Sequence, residues 1–240
     1  MSIKNKLNTK MEMPIIEHLE ELKNRVFFCI IIFFIITMIS FFEIKNITYL
    51  LQKPAYGIKF LQLAPGEYLF ASIKVSIYTG FLLSLPFIIY QLMRFIIPGL
   101  TDKEKIYIIP LLIGSILLFF SGIIFSYIIL IPAALNFLIN YGSDIVEPIW
   151  SLEEYFNFIL LLLLSTGIIF QVPIIQIILG IFNIFSSNQM LKYWKYTIFA
   201  STIIGAIITP STDPITQVFM SFAIILLYFS GCTILKFLNK

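Results

Sequence analysis

Glu17, Glu21 and Arg25 recur at intervals of four, with His18, Glu20, Lys23 and Asn24 between them. On a helix this spacing sets carboxylates and a guanidinium along one face, and a carboxylate can accept paired, charge-assisted hydrogen bonds from an arginine. Such a face either carries a function or stands solvated as an exposed Glu21–Arg25 pair, and spacing alone leaves both open. A second set of carboxylates, Asp102 and Glu104, alternates with Lys103 and Lys105 after Pro98-Gly99-Leu100, where Thr101 or Asp102 suits a helix start. Gln171 lies two residues before Pro173 in an apolar run. An amide in that setting must face the bundle or a cavity, or else cap carbonyls that Pro173 leaves without a donor.

Groups for covalent chemistry are missing from the sequence. It holds no G-x-x-x-x-G-K-[ST] phosphate loop, no H-E-x-x-H and no G-x-S-x-G. His18 is the single histidine, and Cys29 and Cys232 both lie in apolar stretches, which excludes a disulfide framework and a Cys-based zinc site. The sequence therefore predicts no enzyme, no cofactor and no metal.

The elements that position these residues follow from composition. Of 240 residues 59% are apolar and 12% charged, with a mean hydropathy of +0.97, against about 25% charged in soluble domains. The net charge of +3 is too small and dispersed for nucleic-acid binding. The chain reads as an all-α integral membrane protein with six transmembrane helices, at 26–42, 69–95, 106–132, 155–182, 196–209 and 215–235. The fifth is short, about 21 Å of helix, and the Pro210-Ser211-Thr212-Asp213-Pro214 turn joins it to the sixth. Spans five and six thus read as a short hairpin, which either packs with slight mismatch or thins the bilayer locally. Pro86, Pro110, Pro132 and Pro173 predict a kinked bundle with a concave face. Ile15, Leu19, Leu22 and Val26 give residues 14–25 one apolar stripe, so an amphipathic helix on the inner surface precedes the first span, with Pro14 in its first turn. Three segments result: an N-terminal tail and surface helix (1–25), a six-span domain (26–235) and a short tail (236–240). Lys74, near the outer end of span two, is expected to snorkel to the interface.

Twelve Lys and Arg residues fall in the N-terminus, the second and fourth connections and the C-terminus, against Lys45, Lys53 and Lys59 in the other loops. Positive charge stays on the cytoplasmic side, so both termini face the cytoplasm, stroma or matrix. The excess of Lys over Arg, with abundant Ile, Phe and Asn, is the signature of an AT-rich coding sequence. It points to a plastid genome and a thylakoid membrane, with bacterial or mitochondrial inner membranes as alternatives.

These motifs, in order and over nearly the whole chain, resemble the TatC family, the multispanning core subunit of the twin-arginine protein translocase. The family's His-Leu-x-Glu-Leu-Arg type helix is matched by His18-Leu19-Glu20-Glu21-Leu22-Lys23-Asn24-Arg25. Its second span and following loop are matched by Pro86, Tyr90, Gln91, Phe95, Pro98, Leu100 and Glu104, and its Phe-(Glu/Gln)-x-Pro by Phe170-Gln171-Val172-Pro173. The string Thr209-Pro210-Ser211-Thr212-Asp213-Pro214-Ile215-Thr216-Gln217 and Pro54 in the first far-side loop complete the match. Lys23 departs from a common arginine and loses its planar fork. Gln171 stands where many members have glutamate, so a role needing ionisation does not carry over.

The resemblance implies a receptor for twin-arginine signal peptides that organises small single-span TatA-type, and also TatB-type, partners, with further copies of itself and membrane lipid, to move folded proteins with the proton-motive force. Its signal-binding residues would be Glu104 first and Glu21 second, with Phe95 and Leu19 as apolar contacts and Lys23 and Arg25 beside them. The apolar part of the signal would lie on the concave side with Gln171 as polar partner. Pro210, Asp213 and Gln217 would hold the hairpin or meet a partner helix, and Pro54 and Gln91 would join Gln171 as intramembrane polar or partner contacts. The rival reading is a six-span secondary transporter of a small solute, for which Gln171 and the prolines are the only midplane candidates.

Overall fold

The computed structural model describes residues 15–97, 105–141, 149–209 and 213–238. The first element, α1, is one unbroken helix, Ile15–Phe42. Neither proline nor glycine occurs within it, so nothing ends a helix at Arg25. The expected boundary between a surface helix and the first span is therefore not a break in the chain: at Val26 the polar face gives way to an all-round apolar surface within the same helix. At about 42 Å, α1 is longer than the hydrocarbon layer of roughly 30 Å, which leaves its polar first turns as an overhang.

The helix α2 (Ile44–Gln52) leads to a 3-10 turn, Lys53–Ala55, with Pro54 in its first positions. Tyr127 and Tyr155 donate their hydroxyls to the carbonyls of Leu50 and Leu51, at 2.8 and 2.7 Å, and so fasten the end of α2 to the bundle. The strand β1 (Lys59–Leu61) pairs in parallel with β2 (Ile149–Ser151), register Phe60 to Trp150. These six strand residues are the one addition to the all-α expectation among the described residues.

The second span is α3, Glu67–Ile96, continuous through Pro86. The third is α4 (Ile108–Phe125), a π-helical turn (Ser126–Leu130) and α5 (Ile131–Asn140). Pro132 cannot donate and its ring crowds the preceding turn, and the wider π turn immediately before it relieves that conflict. Pro110 falls in the first turn of α4, where no donor is needed. The fourth span breaks into α6 (Leu152–Ile169) and α7 (Val172–Ile181), with Pro173 opening the second piece. After the short α8 (Ser187–Lys192), capped reciprocally by Ser186 and Gln189, come α9 (Trp194–Ile208) and α10 (Pro214–Phe237). The fifth span is short, as expected, with 15 residues. The sixth is not: Asp213 caps it at Pro214 and apolar sequence carries it to Phe237, 24 residues and about 36 Å.

The main core joins α3, α4 and α6 around Val75, Phe119, Phe156, Ile159 and Leu162. A second core joins α7, α8 and α10 through Ile174, Ile177, Met190, Cys232 and Leu235. By contrast α1 is peripheral and rests chiefly on α3. Only 6% of its most apolar window is buried, against 56% for the span 152–181. The two helices meet at Gly80, where a Cβ would stand 2.1 Å from Thr37 Oγ1 and 2.9 Å from Thr37 Cα. A side chain here would hold the backbones apart.

Candidate functional site

The polar first turns of α1 lie beside the last turns of α3, and four side chains tie the two together. Arg25 Nε donates to Glu21 Oε1 at 3.1 Å, and Arg25 Nη2 donates to the same oxygen. The remaining arm, Nη1, crosses to α3 and donates to Gln91 Oε1 at 3.2 Å. One turn away the His18 ring stacks on Phe95, with centroids 4.2 Å apart and planes 14° from parallel. His18 Nδ1 stands 3.6 Å from Glu21 Oε2, beyond hydrogen-bond reach. That oxygen is buried and accepts no hydrogen bond among the described residues.

Glu21 is therefore half engaged. One carboxylate oxygen is held by an arginine that is itself anchored on α3, and the other has no hydrogen-bond donor among the described residues, with His18 Nδ1 beside it at 3.6 Å. Glu21 lines a polar recess of about 510 Å³ together with Glu20, Asn24, Arg25, Gln91 and Arg94. On the other side of the Arg25–Gln91 bridge a second recess of about 670 Å³ runs between α1 and α3 and is almost wholly apolar.

The remaining predicted residues are dispersed. Leu19 and Lys23 are exposed on α1 and belong to neither recess. Phe95 lines the apolar recess but also carries His18, so it is a platform as well as an apolar contact. Glu104 and Pro210 lie outside the described residues, as do Pro14, Thr101 and Asp102. Gln171 faces the bundle: its Nε2 donates to the Ser115 carbonyl at 3.1 Å, and its Oε1 accepts the Ser115 hydroxyl. It thus pairs with α4 and does not cap carbonyls next to Pro173. Asp213 is buried and caps α10, accepting from Thr216 N at 2.9 Å and from the Thr216 hydroxyl. Gln217 Nε2 donates to Thr202 O at 3.2 Å and ties α10 to α9. Lys74 does not merely snorkel, since its ammonium pairs with Glu153 and lies 3.4 Å from Asn157 Oδ1.

One carboxylate escaped the reading of the sequence. Glu67, 4% exposed, accepts from Ser151 Oγ at 2.7 Å, Glu153 N at 3.1 Å, Ala64 N at 3.2 Å and also Leu63 N. It joins the loop before α3 to the start of α6, next to the Lys74–Glu153 pair. Its place in a first helical turn was visible, but an acid there is ordinary.

The profile of the family described as Sec-independent protein translocase protein (TatC) matches residues 17–222. The chain belongs to the TatC family. It is 68% identical over 234 residues to the tatC-like protein ycf43 of Gracilaria tenuistipitata var. liui, covering 98% of each chain. It is 46% identical to the Sec-independent protein translocase protein TatC of Synechocystis sp., over 96% of this chain and 91% of that one. To the chloroplastic TATC of Pisum sativum it is 44% identical, over 95% of this chain and 65% of the relative. A crystal structure of the twin-arginine translocase receptor TatC superimposes with a TM-score of 0.80 at 38% identity, covering 93% of this chain and all of the other. The protein is thus a multispanning translocase component and not an enzyme. Membership in TatC sets aside the solute transporter, and the Gln171–Ser115 pairing removes that reading's main midplane candidate.

Proposed function

We propose that the chain is the receptor of a twin-arginine translocase, with the amino-terminal end of α1 and the adjoining end of α3 as its docking face for the two arginines of a signal peptide. The observation that carries this is Glu21 Oε2, buried at a recess bordered by Glu20, with no hydrogen-bond donor among the described residues and with His18 nearby at 3.6 Å. A guanidinium offers the donors that this oxygen lacks and can lie flat against a carboxylate, which an ammonium cannot do. Arg25 acts as a brace in this reading: bound to both Glu21 and Gln91, it fixes the carboxylate against α3. Glu104, in the connection that follows α3, is the second acid of the site. Both termini face the cytoplasm, stroma or matrix, and the membrane is the plastid thylakoid. The α9–α10 hairpin, held by Asp213 and Gln217, meets the small single-span partners, and the proton-motive force drives transport.

The test is the affinity of the purified chain for a twin-arginine signal peptide and its twin-lysine variant, repeated with Glu21→Gln and Glu104→Ala. The receptor reading expects the arginine peptide to bind several-fold more tightly and each substitution to reduce that margin. Equal binding of the two peptides to the unaltered chain would defeat it.

A further inference from the structure

The apolar slot of about 670 Å³ between α1 and α3 is open along its side, since Val26 and Ile30 of α1 and Leu92 of α3, which line it, are exposed. It reaches from Phe95 and Ile96, at the end of α3, to Phe81 and Phe33. Just beyond these rings the two helices close on each other at Gly80 and Thr37. Phe81 stands at the middle of the 30-residue α3, and Arg94 in its last turn. Between them the helix rises about 20 Å, which is the depth of one leaflet, half of the roughly 40–45 Å of a bilayer with its headgroup regions. At its headgroup end the slot shares Arg25 and Gln91 with the polar recess, and that recess carries both signs of charge. Arg25 is committed to Glu21 and Gln91. Arg94 is exposed and has no acidic partner among the described residues.

We propose that the slot and the recess together seat one phospholipid of the leaflet on the amino-terminal side, with an acyl chain along the slot and the headgroup phosphate on Arg94. The inference does not depend on the receptor reading. The depth of the slot carries it: the closure at Gly80 and Thr37 comes at mid-bilayer, where an acyl chain ends, and Arg94 stands one leaflet away, where a phosphate lies. The open side lets a lipid enter from the membrane with its headgroup already at that height. A guanidinium without a partner can take two phosphate oxygens at once, and basic pockets between transmembrane helices on the cytoplasmic or matrix side bind lipid headgroups of this kind. The acids narrow the class. Glu20 borders the same recess, and Glu21 Oε2 has no donor among the described residues, so a phosphate with nothing further to offer would be repelled on that side. A phosphodiester with free hydroxyls, as in phosphatidylglycerol, gives one negative charge to Arg94 and hydroxyl donors to the carboxylates. Because α1 rests chiefly on α3, a lipid seated between them also fixes the tilt of α1.

The test strips the full chain of lipid in detergent and supplies phosphatidylglycerol, or a galactosyl diacylglycerol with the same acyl chains and no phosphate. Native mass spectrometry should show one phosphatidylglycerol retained by the unaltered chain. Retention of the galactolipid, and of phosphatidylglycerol by Arg94→Gln, should be roughly tenfold weaker, the loss of one charge-assisted pair. Ile88→Trp, which fills the slot, should abolish it. Cys29 lines the slot, whereas Cys232 is buried in the second core, so the unaltered chain carries its own reporter. A maleimide should label Cys29 several-fold more slowly with phosphatidylglycerol than with the galactolipid, a reading that stands even if the tryptophan variant does not fold. Equal retention of the two lipids, or retention and Cys29 protection that Arg94→Gln leaves unchanged, would overturn the proposal. No peptide is present in these measurements, so that outcome leaves the receptor reading intact. Protection of Cys29 by a twin-arginine peptide and not by phosphatidylglycerol would assign the slot to the peptide and overturn the lipid site.

Discussion

Arg25 Nη1 lies 3.2 Å from Gln91 Oε1, a hydrogen bond between residues 66 positions apart that joins the polar end of α1 to α3. The same guanidinium holds Glu21, so the orientation of that carboxylate depends on a neutral amide on another helix. Gln91→Leu should therefore lower the preference for twin-arginine over twin-lysine peptides without removing any charge. Peptide titrations of the variant check this, and an unchanged preference would show that Arg25 needs no anchor.

Arg25→Lys keeps the charge but cannot reach Glu21 and Gln91 together from a planar fork. Spin-label distances between the amino-terminal turn of α1 and the last turn of α3 should broaden in this variant. Labels at Thr37 and Gly80 flanking positions should report no change.

Gly80→Val should lower stability by about 1–3 kcal/mol, the usual range for overpacking a close contact, because its Cβ would meet Thr37 at 2.1 Å. Thermal unfolding in detergent reads the loss. Thr37→Ala in the same chain should recover part of it.

Ser115 and Gln171 satisfy each other inside the membrane region. Ser115→Ala leaves the Gln171 carbonyl oxygen without that donor and should cost about 1 kcal/mol, the scale of hydrogen bonds between membrane helices. Adding Gln171→Leu should restore part of the loss, which a double-mutant cycle measures as a coupling. Strict additivity would mean that the pair contributes nothing jointly.

Glu67→Gln replaces an acceptor of four hydrogen bonds with a group that has one acceptor oxygen and must itself donate. The expected outcome is a thermal midpoint lower by several degrees. Faster hydrogen exchange should accompany it in the segments around Leu63 and Ser151, with the Glu21 region unaffected.

The spans were legible because long apolar runs have few alternatives in a chain of this composition. The continuity of α1 was legible too, in the absence of glycine and proline from Ile15 to Phe42, but the amphipathic stripe ahead of Val26 drew attention to a surface location instead. The strands β1 and β2 leave no such trace, since three residues are too few for a period and their partners are far apart in sequence. Glu67 and Lys74 each announced a charge near a helix end, yet their meaning lies with Ser151 and Glu153, about eighty residues away, and only packing brings these together. Gln171 was recognised as a polar residue that must be satisfied, while Ser115, its partner, was one serine among many. At the amino-terminal site, local spacing disclosed Glu21 and Arg25, whereas Gln91 and the His18–Phe95 stack required α3 to be laid alongside.

The parallel pairing of β1 with β2 has a mechanical consequence. Together with the Glu67 hub and the Lys74–Glu153 pair, it cross-links the loop before α3 to the loop before α6. The α3–α6 region is thereby buttoned at one rim. At the opposite rim, among the described residues, the Arg25–Gln91 bond and the His18–Phe95 stack hold the first turns of α1 to α3. A load applied to the molecule would then be taken up as a tilt of α1 about its contact at Gly80, much as a peg clipped at one end pivots while its spring stays shut.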